Sequence, residues 1–386
     1  MTTLSIILAA SLALSALALM LTFTNLGIYQ RPKRGAPEKS LITVCIPARN
    51  EEENIEACVR SVLASSDVNL EVLVYDDQST DRTPQIVKQL LAADPRVRAA
   101  STVALPAGWN GKQHACWRMA EQARGDWLVF TDADVRFEPG LLAGALATAH
   151  QRRAALVSTF PRQLTGSLAE DLAVPMIFFV LFSYLPMAMM RSGQAPSASA
   201  GCGQFLFVSR EAYDKSGGHA AFKDSMHDGV KMPREVRKAG FHTDLFDGTA
   251  LVSVRMYRGL AQTWRGFTKN AYEGIGSFGL LLFFTFAHLV AHVLPWAVLA
   301  VGLVARWTRT PMVDDRAMWL AGVCVVIHLA QRTLLAWRFR QGVLPVLLHP
   351  VGVLFMTVIQ WYSLYLSQTN QRAWRGRVAT AAPAGS

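Results

Sequence analysis

Residues 127–134 read WLVFTDAD, an apolar run that ends in two aspartates separated by one residue. Four apolar residues in succession predict a strand that is buried on both faces, as in a parallel sheet. Asp132 and Asp134 then follow its carboxyl end, where open α/β sheets bind ligands. Two carboxylates at this spacing are able to share one hard cation such as Mg²⁺ or Mn²⁺ with substrate phosphates. The alternative is an ordinary surface turn, in which aspartate is common.

Strands and helices alternate on both sides of this run. Apolar runs predict strands over 41–46, 70–75, 97–103, 127–130, 155–160 and 205–208. Helical spacing predicts helices over 51–65, 83–93, 112–122 and 230–238. The alternation predicts an α/β domain with a mostly parallel sheet and helices on both faces. The sequence argues against a dinucleotide-binding domain, because residues 47–50 read PARN where that fold needs Gly-x-Gly-x-x-Gly.

Apolar residues make up 51% of the 386-residue chain and are concentrated at its two ends. The segments 4–23, 278–305, 318–337 and 343–366 are each long enough to span a bilayer. The first lacks a basic start and an Ala-x-Ala signal, so we predict an uncleaved anchor. The predicted boundaries are a membrane anchor (1–30), an α/β domain (38–272), a C-terminal transmembrane region (278–367) and a flexible tail (368–386).

The basic residues after the anchor suggest an orientation. Arg31, Lys33 and Arg34 follow the first segment, and the positive-inside rule then places the α/β domain in the cytoplasm of a multi-pass inner-membrane protein. Three later spans would put the arginines of the tail outside, against the same rule. A re-entrant segment broken at Pro295 or Pro345 would reverse that result, so both topologies of the C-terminal region remain open.

Charge and cysteine content exclude several classes of protein. The net charge of +10 comes without a basic stripe interleaved with aromatic residues, so nucleic acid is not a predicted partner, and anionic lipid explains the charge better. Five scattered cysteines without Cys-x-x-Cys argue against a disulfide framework or a zinc site.

Segments 173–190 and 259–272 are apolar or amphipathic and are predicted to lie at the membrane surface. Residues 201–204 (GCGQ) predict a close approach of the backbone to a ligand.

Four motifs occur in a fixed order: IPARNE at 46–51, YDDQSTD at 75–81, GKQHA at 111–115 and TDAD at 131–134. As a set they resemble glycosyltransferase family 2, the inverting nucleotide-sugar transferases, over roughly residues 40 to 270. The loop PAGWNGK at 106–112 and the terminal apolar segments are similar to the membrane-bound hopanoid-associated and carotenoid members of that family. The resemblance implies a GT-A, Rossmann-like catalytic domain with N-terminal and C-terminal transmembrane helices.

The resemblance also implies a nucleotide-binding set. Pro47, Ala48 and Glu51 would line the nucleotide pocket, although Glu51 is equally suited to the first turn of a helix. Asp77 would accept a hydrogen bond from the N3–H of uracil or guanine, and Asp76 is the alternative for that role. Lys112 would face the diphosphate, and Asp132 would contact the nucleotide-sugar. The alternative for Lys112 is a solvated surface lysine.

The implied catalytic residues follow the same motifs. Asp132 and Asp134 would hold the Mg²⁺ or Mn²⁺ ion that bridges the diphosphate. Asp228 would be the general base that deprotonates the acceptor. The family has an acidic pair there, whereas this chain has His227-Asp228. His227 is left open as a third metal ligand, a pH-sensitive neighbour or a surface histidine.

Two further groups of polar residues lie near or within apolar segments. Gln262 and Arg265 match part of a Gln-x-x-Arg-Trp motif that contacts acceptor and diphosphate, but Gly266 replaces the tryptophan. An interfacial anchor is the alternative for them. His288 and His292 lie one turn apart in an apolar segment, where polar residues are functional by default. Helix packing is the alternative for this pair.

Together these observations predict a membrane-anchored, metal-dependent, inverting glycosyltransferase. Its partners would be a nucleotide-sugar donor, UDP-linked in the first instance, and a membrane lipid acceptor of isoprenoid type. The alternatives are a processive polysaccharide synthase and a non-catalytic membrane scaffold of the same fold. A scaffold has no reason to retain Asp77, Asp132, Asp134 and Asp228 together.

Overall fold

The computed structural model describes residues 2–33, 39–310, 312–369 and 371, together with the backbone of 373–374 and 377–378. The chain forms two units, and each is described by itself. The sheet unit comprises Tyr29–Leu164, Met187–Met256 and Ser367–Ser386. The helical unit comprises Met1–Ile28, Thr165–Pro186 and Tyr257–Leu366. Arg34, Arg372, Arg375 and most of the predicted tail lie outside the described residues.

The described strands have between two and eight residues. They are β1 (Leu41–Ala48), β2 (Asn69–Asp76), β3 (Val97–Ala99), β4 (Trp127–Phe130), β5 (Val135–Phe137), β6 (Leu156–Ser158), β7 (Arg162–Gln163), β8 (Leu206–Ser209), β9 (Thr243–Leu245), β10 (Val252–Val254), β11 (Ala373–Trp374) and β12 (Arg377–Val378).

The helices differ widely in length. They are α1 (Thr3–Ile28), α2 (Ile55–Leu63), α3 (Thr83–Ala93), α4 (Gly111–Gln122), α5 (Leu141–Arg152), α6 (Leu168–Ala173), α7 (Met176–Tyr184), α8 (Met187–Ser192), α9 (Arg210–Lys215), α10 (Asp228–Lys238), α11 (Gly259–Thr268), α12 (Ala271–Ile275), α13 (Phe278–His288), α14 (Leu294–Trp307), α15 (Asp315–Phe339), α16 (Leu344–Leu347) and α17 (His349–Gln368). Pro196–Ala198 and Gly218–Phe222 form 3₁₀-helices, and Leu289–Val293 forms a π-helical turn.

The sheet unit is built on seven strands in the order β3-β2-β1-β4-β8-β6-β9. The first four strands are parallel, as the alternation predicts, and β6 pairs with β9 in parallel. Strand β8 runs antiparallel to both β4 and β6, between which it lies. The mostly parallel sheet is therefore confirmed, with one reversed strand, β8, as the fifth of its seven strands.

The central strands bury both of their faces. Alternate residues of β1 enter two different cores: Val44 and Ile46 pack with α2, α3 and α5, and Cys45 packs with α4, α9 and α10. Full burial of a valine or isoleucine side chain contributes about 1.5–3 kcal/mol. This two-sided burial explains why the strand sequences are continuously apolar instead of alternating.

The carboxyl ends of the central strands meet at one edge of the sheet. Ala48 at the end of β1 lies opposite Asp76 at the end of β2, and Cys45 of β1 lies opposite Phe130 at the end of β4. Beyond Phe130 the chain turns and enters β5, which belongs to a second, three-stranded sheet of order β5-β10-β7. The aspartates of residues 131–134 are thus confined to a short connection between two sheets.

Several predicted boundaries shift for local reasons. The helix predicted from residue 51 begins at Ile55, because Asn54 and Ile55 donate their backbone N–H groups to the Glu51 carbonyl, each at 2.9 Å, in a preceding turn. The segment predicted at 259–272 is divided into α11 and α12. The segment at 173–190 forms α7 and α8, and α7 buries Phe178, Phe179 and Phe182. Its placement at a membrane surface stays a prediction.

The helical unit contains the helices that are long and apolar enough to cross a membrane. They are Thr3–Ile28, Phe278–Trp307, Asp315–Phe339 and His349–Gln368. The second continues through the π-helical turn, and Pro295, the second residue of α14, therefore lies in the interior of this long helix. Pro345 lies in α16, ahead of α17. The helix Phe278–Trp307 thus continues past Pro295, whereas the predicted segment 343–366 is divided between α16 and α17.

Candidate active site

The loops after β1 and β2 are joined by hydrogen bonds at the carboxyl edge of the sheet. The Asp77 N–H donates to the Ala48 carbonyl at 2.8 Å, and the Glu51 N–H donates to Thr83 Oγ1 at 2.8 Å. Glu51 is buried, and its Oε2 accepts from Asn54 Nδ2 at 3.1 Å. Pro47 and Ala48 are also buried, at the end of β1. These residues form one fixed wall beside the strand ends.

The two aspartates after β2 have different surroundings. Asp76 Oδ1 accepts the Ser79 N–H at 3.2 Å, so this carboxylate closes the local turn. Asp77 is buried, and its Oδ2 lies 3.8 Å from Arg49 Nη1. Arg49 also donates to the backbone carbonyls of Asp77 and Gln78. Sequence reasoning gave Arg49 no role, although it lies inside the IPARNE motif.

Lys112 brings two predicted site residues together. Its Nζ lies 2.6 Å from Asp132 Oδ1 and 2.8 Å from Asp228 Oδ2, and it donates to the Gly203 carbonyl at 3.3 Å. The Lys112 side chain is only 15% exposed. Helix α4 fixes its position, because Asn110 Oδ1 caps the helix by accepting the Lys112 N–H at 2.9 Å.

The charges in this cluster stabilise one another. Burial opposes the charge on Lys112, but Asp132 and Asp228 outweigh burial and raise its pKa well above the usual value. Burial also opposes ionisation of Asp228, yet the Lys112 ammonium lowers the pKa of this carboxyl below its usual value. At neutral pH the cluster therefore contains a lysine cation and an ionised Asp228.

Asp134 lies in the turn that leads into β5. The turn begins at Asp132, whose carbonyl accepts the Val135 N–H at 3.3 Å. Both aspartates are partly exposed. The structure thus places two carboxylates in one turn at the end of β4 and connects the first of them to Asp228 through Lys112.

Glycines make room for the Asp228 carboxylate. A Cβ atom on Gly203 would lie 2.0 Å from Asp228 Oδ1, and one on Gly229 would lie 2.6 Å from the Gly201 carbonyl oxygen. The same Asp228 Oδ1 accepts the Gly229 N–H at 2.8 Å. Residues 201–203 thus lie against the start of α10, and the expectation that 201–204 approach a ligand stays a prediction.

The remaining predicted residues are not in this ion-pair cluster. His227 precedes α10 and donates its backbone N–H to Ser225 Oγ at 3.0 Å. Gln262 and Arg265 belong to the helical unit. Gln262 Oε1 accepts the Arg258 N–H at 2.9 Å, and Arg265 Nε donates to the Ala261 carbonyl at 3.2 Å. Each therefore contacts its own or an adjoining turn of helix.

One buried histidine near the cluster was missed by sequence reasoning. His219 is fully buried, its Nδ1 lies 2.9 Å from the Tyr213 hydroxyl oxygen, and its ring packs edge-on against Phe130. Burial lowers the pKa of His219 to about 3. It lies in a 3₁₀-helix without any recognisable motif, so no sequence signal pointed to it.

The helical unit contains a histidine cluster formed by His292, His328 and His349, with ring nitrogens within 4.8 Å of one another. His292 Nδ1 lies 3.2 Å from His349 Nε2. Trp296 Nε1 donates to His328 Nδ1 at 3.1 Å, and His328 Nε2 lies 2.9 Å from Ser15 Oγ. An indole N–H only donates, so both nitrogens of His328 are already used. This favours a hydrogen-bonded packing arrangement over a set of metal ligands.

This chain is similar to a known family and to several known proteins. Residues 43–217 match the family described as Glycosyl transferase family 2. The 4,4'-diaponeurosporenoate glycosyltransferase of Staphylococcus haemolyticus is 28% identical over 307 residues, which are 77% of this chain and 77% of that protein. A protein of the same name from Staphylococcus aureus is 24% identical over 348 residues, 87% of each chain.

Among solved structures, mannosyltransferase PcManGT from Pyrobaculum calidifontis, in complex with GDP-Man and Mn²⁺, has a TM-score of 0.55 and 18% identity to this chain. The superposition covers 97% of this chain and 100% of that one. At this level of identity the likeness concerns the fold alone.

Proposed function

We propose that this chain, whose residues 43–217 belong to glycosyl transferase family 2, transfers a sugar from a nucleotide-sugar donor to a membrane lipid, with inversion at the sugar. The observation that carries the proposal is the convergence of Lys112, Asp132 and Asp228 at the carboxyl edge of a GT-A sheet. This edge is where ligands bind in open α/β sheets.

The donor nucleotide is proposed to bind beside the loops after β1 and β2. Asp77 is buried and offers a carboxylate to the N3–H of uracil or guanine, and the nearby Arg49 keeps that charge balanced. Asp76 is less suited, because its carboxylate is used in the local turn. Pro47, Ala48 and Glu51 would form the wall against which the nucleoside packs.

A divalent cation, Mg²⁺ or Mn²⁺, is proposed to bind at Asp132 and Asp134. Their carboxylate oxygens are the ligands that these hard ions prefer. Asp132 Oδ1 already lies 2.6 Å from a cation, the Lys112 ammonium, so its surroundings suit positive charge. A bound cation would supply neutralisation of the charge that develops on the leaving diphosphate.

Asp228 is proposed as the general base. Its carboxylate is ionised and lies at the start of α10, held by the Gly229 N–H. In the transfer, the acceptor oxygen bonds to the anomeric carbon as the bond to the diphosphate breaks. With a hydroxyl acceptor the released proton goes to Asp228, whereas an ionised carboxylate acceptor has no proton to lose.

The acceptor is proposed to be a lipid of isoprenoid type. Two observations support this: the relatives are named for 4,4'-diaponeurosporenoate, which is by its name a carboxylate, and helices long enough to span a membrane occur at both ends of the chain. We further propose that the sheet unit faces the cytoplasm, since Arg31 and Lys33 follow α1.

Binding and transfer measurements on full-length protein in detergent test this function. Asp134→Ala should abolish Mn²⁺-dependent binding of UDP or GDP in calorimetry, and Asp228→Asn should keep that binding but slow transfer to a lipid alcohol by roughly 10²-fold. Asp67→Ala, at an exposed position before β2, is the matched control and should behave as wild type.

Two results would contradict the proposal. If Asp134→Ala leaves the metal-dependent nucleotide affinity unchanged, Asp134 is not a ligand of the divalent cation. If the protein transfers sugar efficiently to water-soluble sugars and to no extracted lipid, the proposed lipid acceptor is wrong.

A further inference from the structure

The Lys112 ammonium lies where carboxylates would otherwise attract a metal. Three oxygen atoms surround Nζ: Asp132 Oδ1 at 2.6 Å, Asp228 Oδ2 at 2.8 Å and the Gly203 carbonyl oxygen at 3.3 Å. Asp132 is the residue proposed above as a metal ligand. The protein therefore carries its own cation at that position, tethered by a flexible side chain.

We propose, on the basis of the function proposed above, that Lys112 is a tethered counter-cation that must leave Asp132 before a divalent ion binds there. Two cations repel each other strongly at such distances, and one carboxylate oxygen does not compensate for both. Metal binding to the free protein is consequently weak, because it first has to break the contacts of Lys112 with Asp132 and Asp228.

The nucleoside diphosphate supplies the partner that Lys112 needs when it leaves. Lys112 lies at the second position of α4, next to the Asn110 cap, and its four-carbon side chain is able to turn towards an anion at the start of that helix. Once Lys112 pairs with the diphosphate, Asp132 is free for the metal and Asp228 for the acceptor. Metal and nucleotide thus each promote binding of the other, by the same factor.

Replacing Lys112 by a neutral residue should strengthen the binding of metal alone and weaken the binding of nucleotide. Without Lys112, two carboxylates remain with no lysine between them, so metal alone binds more tightly. The diphosphate loses a cationic partner, so nucleotide binds more weakly. A lysine that only contacted phosphate would change the second affinity and leave the first unaltered.

The experiment measures Mn²⁺ binding by electron paramagnetic resonance and UDP binding by calorimetry, each with and without the other ligand. It uses full-length wild type, Lys112→Met, Lys112→Gln and Lys112→Arg. We expect Mn²⁺ and UDP to strengthen each other at least about tenfold in wild type. In Lys112→Met and Lys112→Gln, Mn²⁺ alone should bind at least about tenfold more tightly, and the coupling should fall to the part that arises from direct contact between metal and diphosphate. Lys112→Arg keeps the charge and should keep weak binding of metal alone.

Two controls locate the effect. Lys215→Met removes an exposed lysine paired with Glu211 in the same unit and should leave all affinities unchanged. Adding Asp132→Asn to Lys112→Met should abolish the gain in Mn²⁺ affinity, which shows that the gain arises at Asp132. Thermal unfolding of each variant identifies any loss of fold, and Lys112→Gln provides the test if the methionine variant does not fold.

The outcomes separate this inference from the function on which it depends. If no protein shows Asp132-dependent binding of Mn²⁺ or UDP, the proposed function is wrong. If such binding occurs but neither neutral variant binds Mn²⁺ alone more tightly than wild type, Lys112 is not a counter-cation and the proposed function stands. If UDP affinity is unchanged in both neutral variants, Lys112 does not move to the diphosphate.

Discussion

Gly203→Ala should disable the enzyme by displacing Asp228 alone. The added Cβ would lie 2.0 Å from Asp228 Oδ1, and contacts below 3.0 Å are essentially never formed by real Cβ atoms. The carboxylate must therefore move by about 1 Å. A displacement of this size at a reacting group costs roughly 10²-fold in rate, equivalent to about 2.7 kcal/mol of activation free energy.

The assay is release of UDP with a lipid alcohol acceptor and with water alone, since both lose a proton on transfer. We expect kcat to fall by roughly 10²-fold while Mn²⁺-dependent UDP affinity changes by less than about threefold. Gly248→Ala is the matched control, because its Cβ would meet the Thr159 side chain at 2.8 Å without touching Asp228. It should cost stability and little activity.

A double-mutant cycle tests whether Gly203→Ala acts only through Asp228. If Gly203→Ala acts only through Asp228, adding it to Asp228→Asn should have almost no further effect on kcat. A double variant that is slower than Asp228→Asn by another large factor would mean that Gly203 serves the site in some other way. A single variant with wild-type kcat would mean that the position of Asp228 is not critical.

Three further predictions concern other parts of the chain. Asp77→Asn should reduce the preference for UDP over CDP, because an amide no longer favours the N3–H of uracil. A ratio of UDP affinity to CDP affinity that is the same in the variant and in wild type, measured by competition binding, would contradict this. His219 remains neutral when folded, with a pKa of about 3, whereas the unfolded chain binds a proton below about pH 6.5. The free energy of unfolding should therefore decrease as the pH is lowered from about 6.5 to 3, by up to about 1.4 kcal/mol per pH unit. Thermal unfolding measured at several pH values should show a smaller decrease for His219→Phe. A reporter fused near residue 150 should be active in the cytoplasm, and activity only outside the membrane would reverse the proposed orientation.

The fold class was predictable because its signals are local. The apolar runs of β1, β2 and β4 reveal strands buried on both faces, and the motifs at their ends lie within the region 43–217 that matches glycosyl transferase family 2. The GT-A fold and the terminal membrane-length helices predicted from sequence are confirmed. The reversed direction of β8 was not predictable, because the hydrophobic pattern of a strand does not encode the direction of its neighbours.

The site was predictable residue by residue but not as an arrangement. Motifs suggested Lys112, Asp132 and Asp228 separately, and those roles stay predictions. The contacts that place one ammonium between two carboxylates depend on how α4, β4 and α10 meet in three dimensions. The histidine cluster is similar in this respect, since His328 and His349 are distant in sequence from His292 and converge only when the helices pack.

The polar contacts of α1 have a consequence for how the protein is made. Helix α15, which is long and apolar enough to cross a membrane, carries His328, Gln331 and the buried Arg332. An arginine in a nascent span opposes insertion, by roughly 2.5–3.5 kcal/mol when it lies at the centre. Ser15 lies 2.9 Å from His328 Nε2, and Thr22 Oγ1 accepts from Gln331 Nε2 at 2.8 Å. Helix α1 leaves the ribosome well before α15 and presents partners for it. Removing residues 1–28 would deprive His328 of its Ser15 contact and Gln331 of its Thr22 contact.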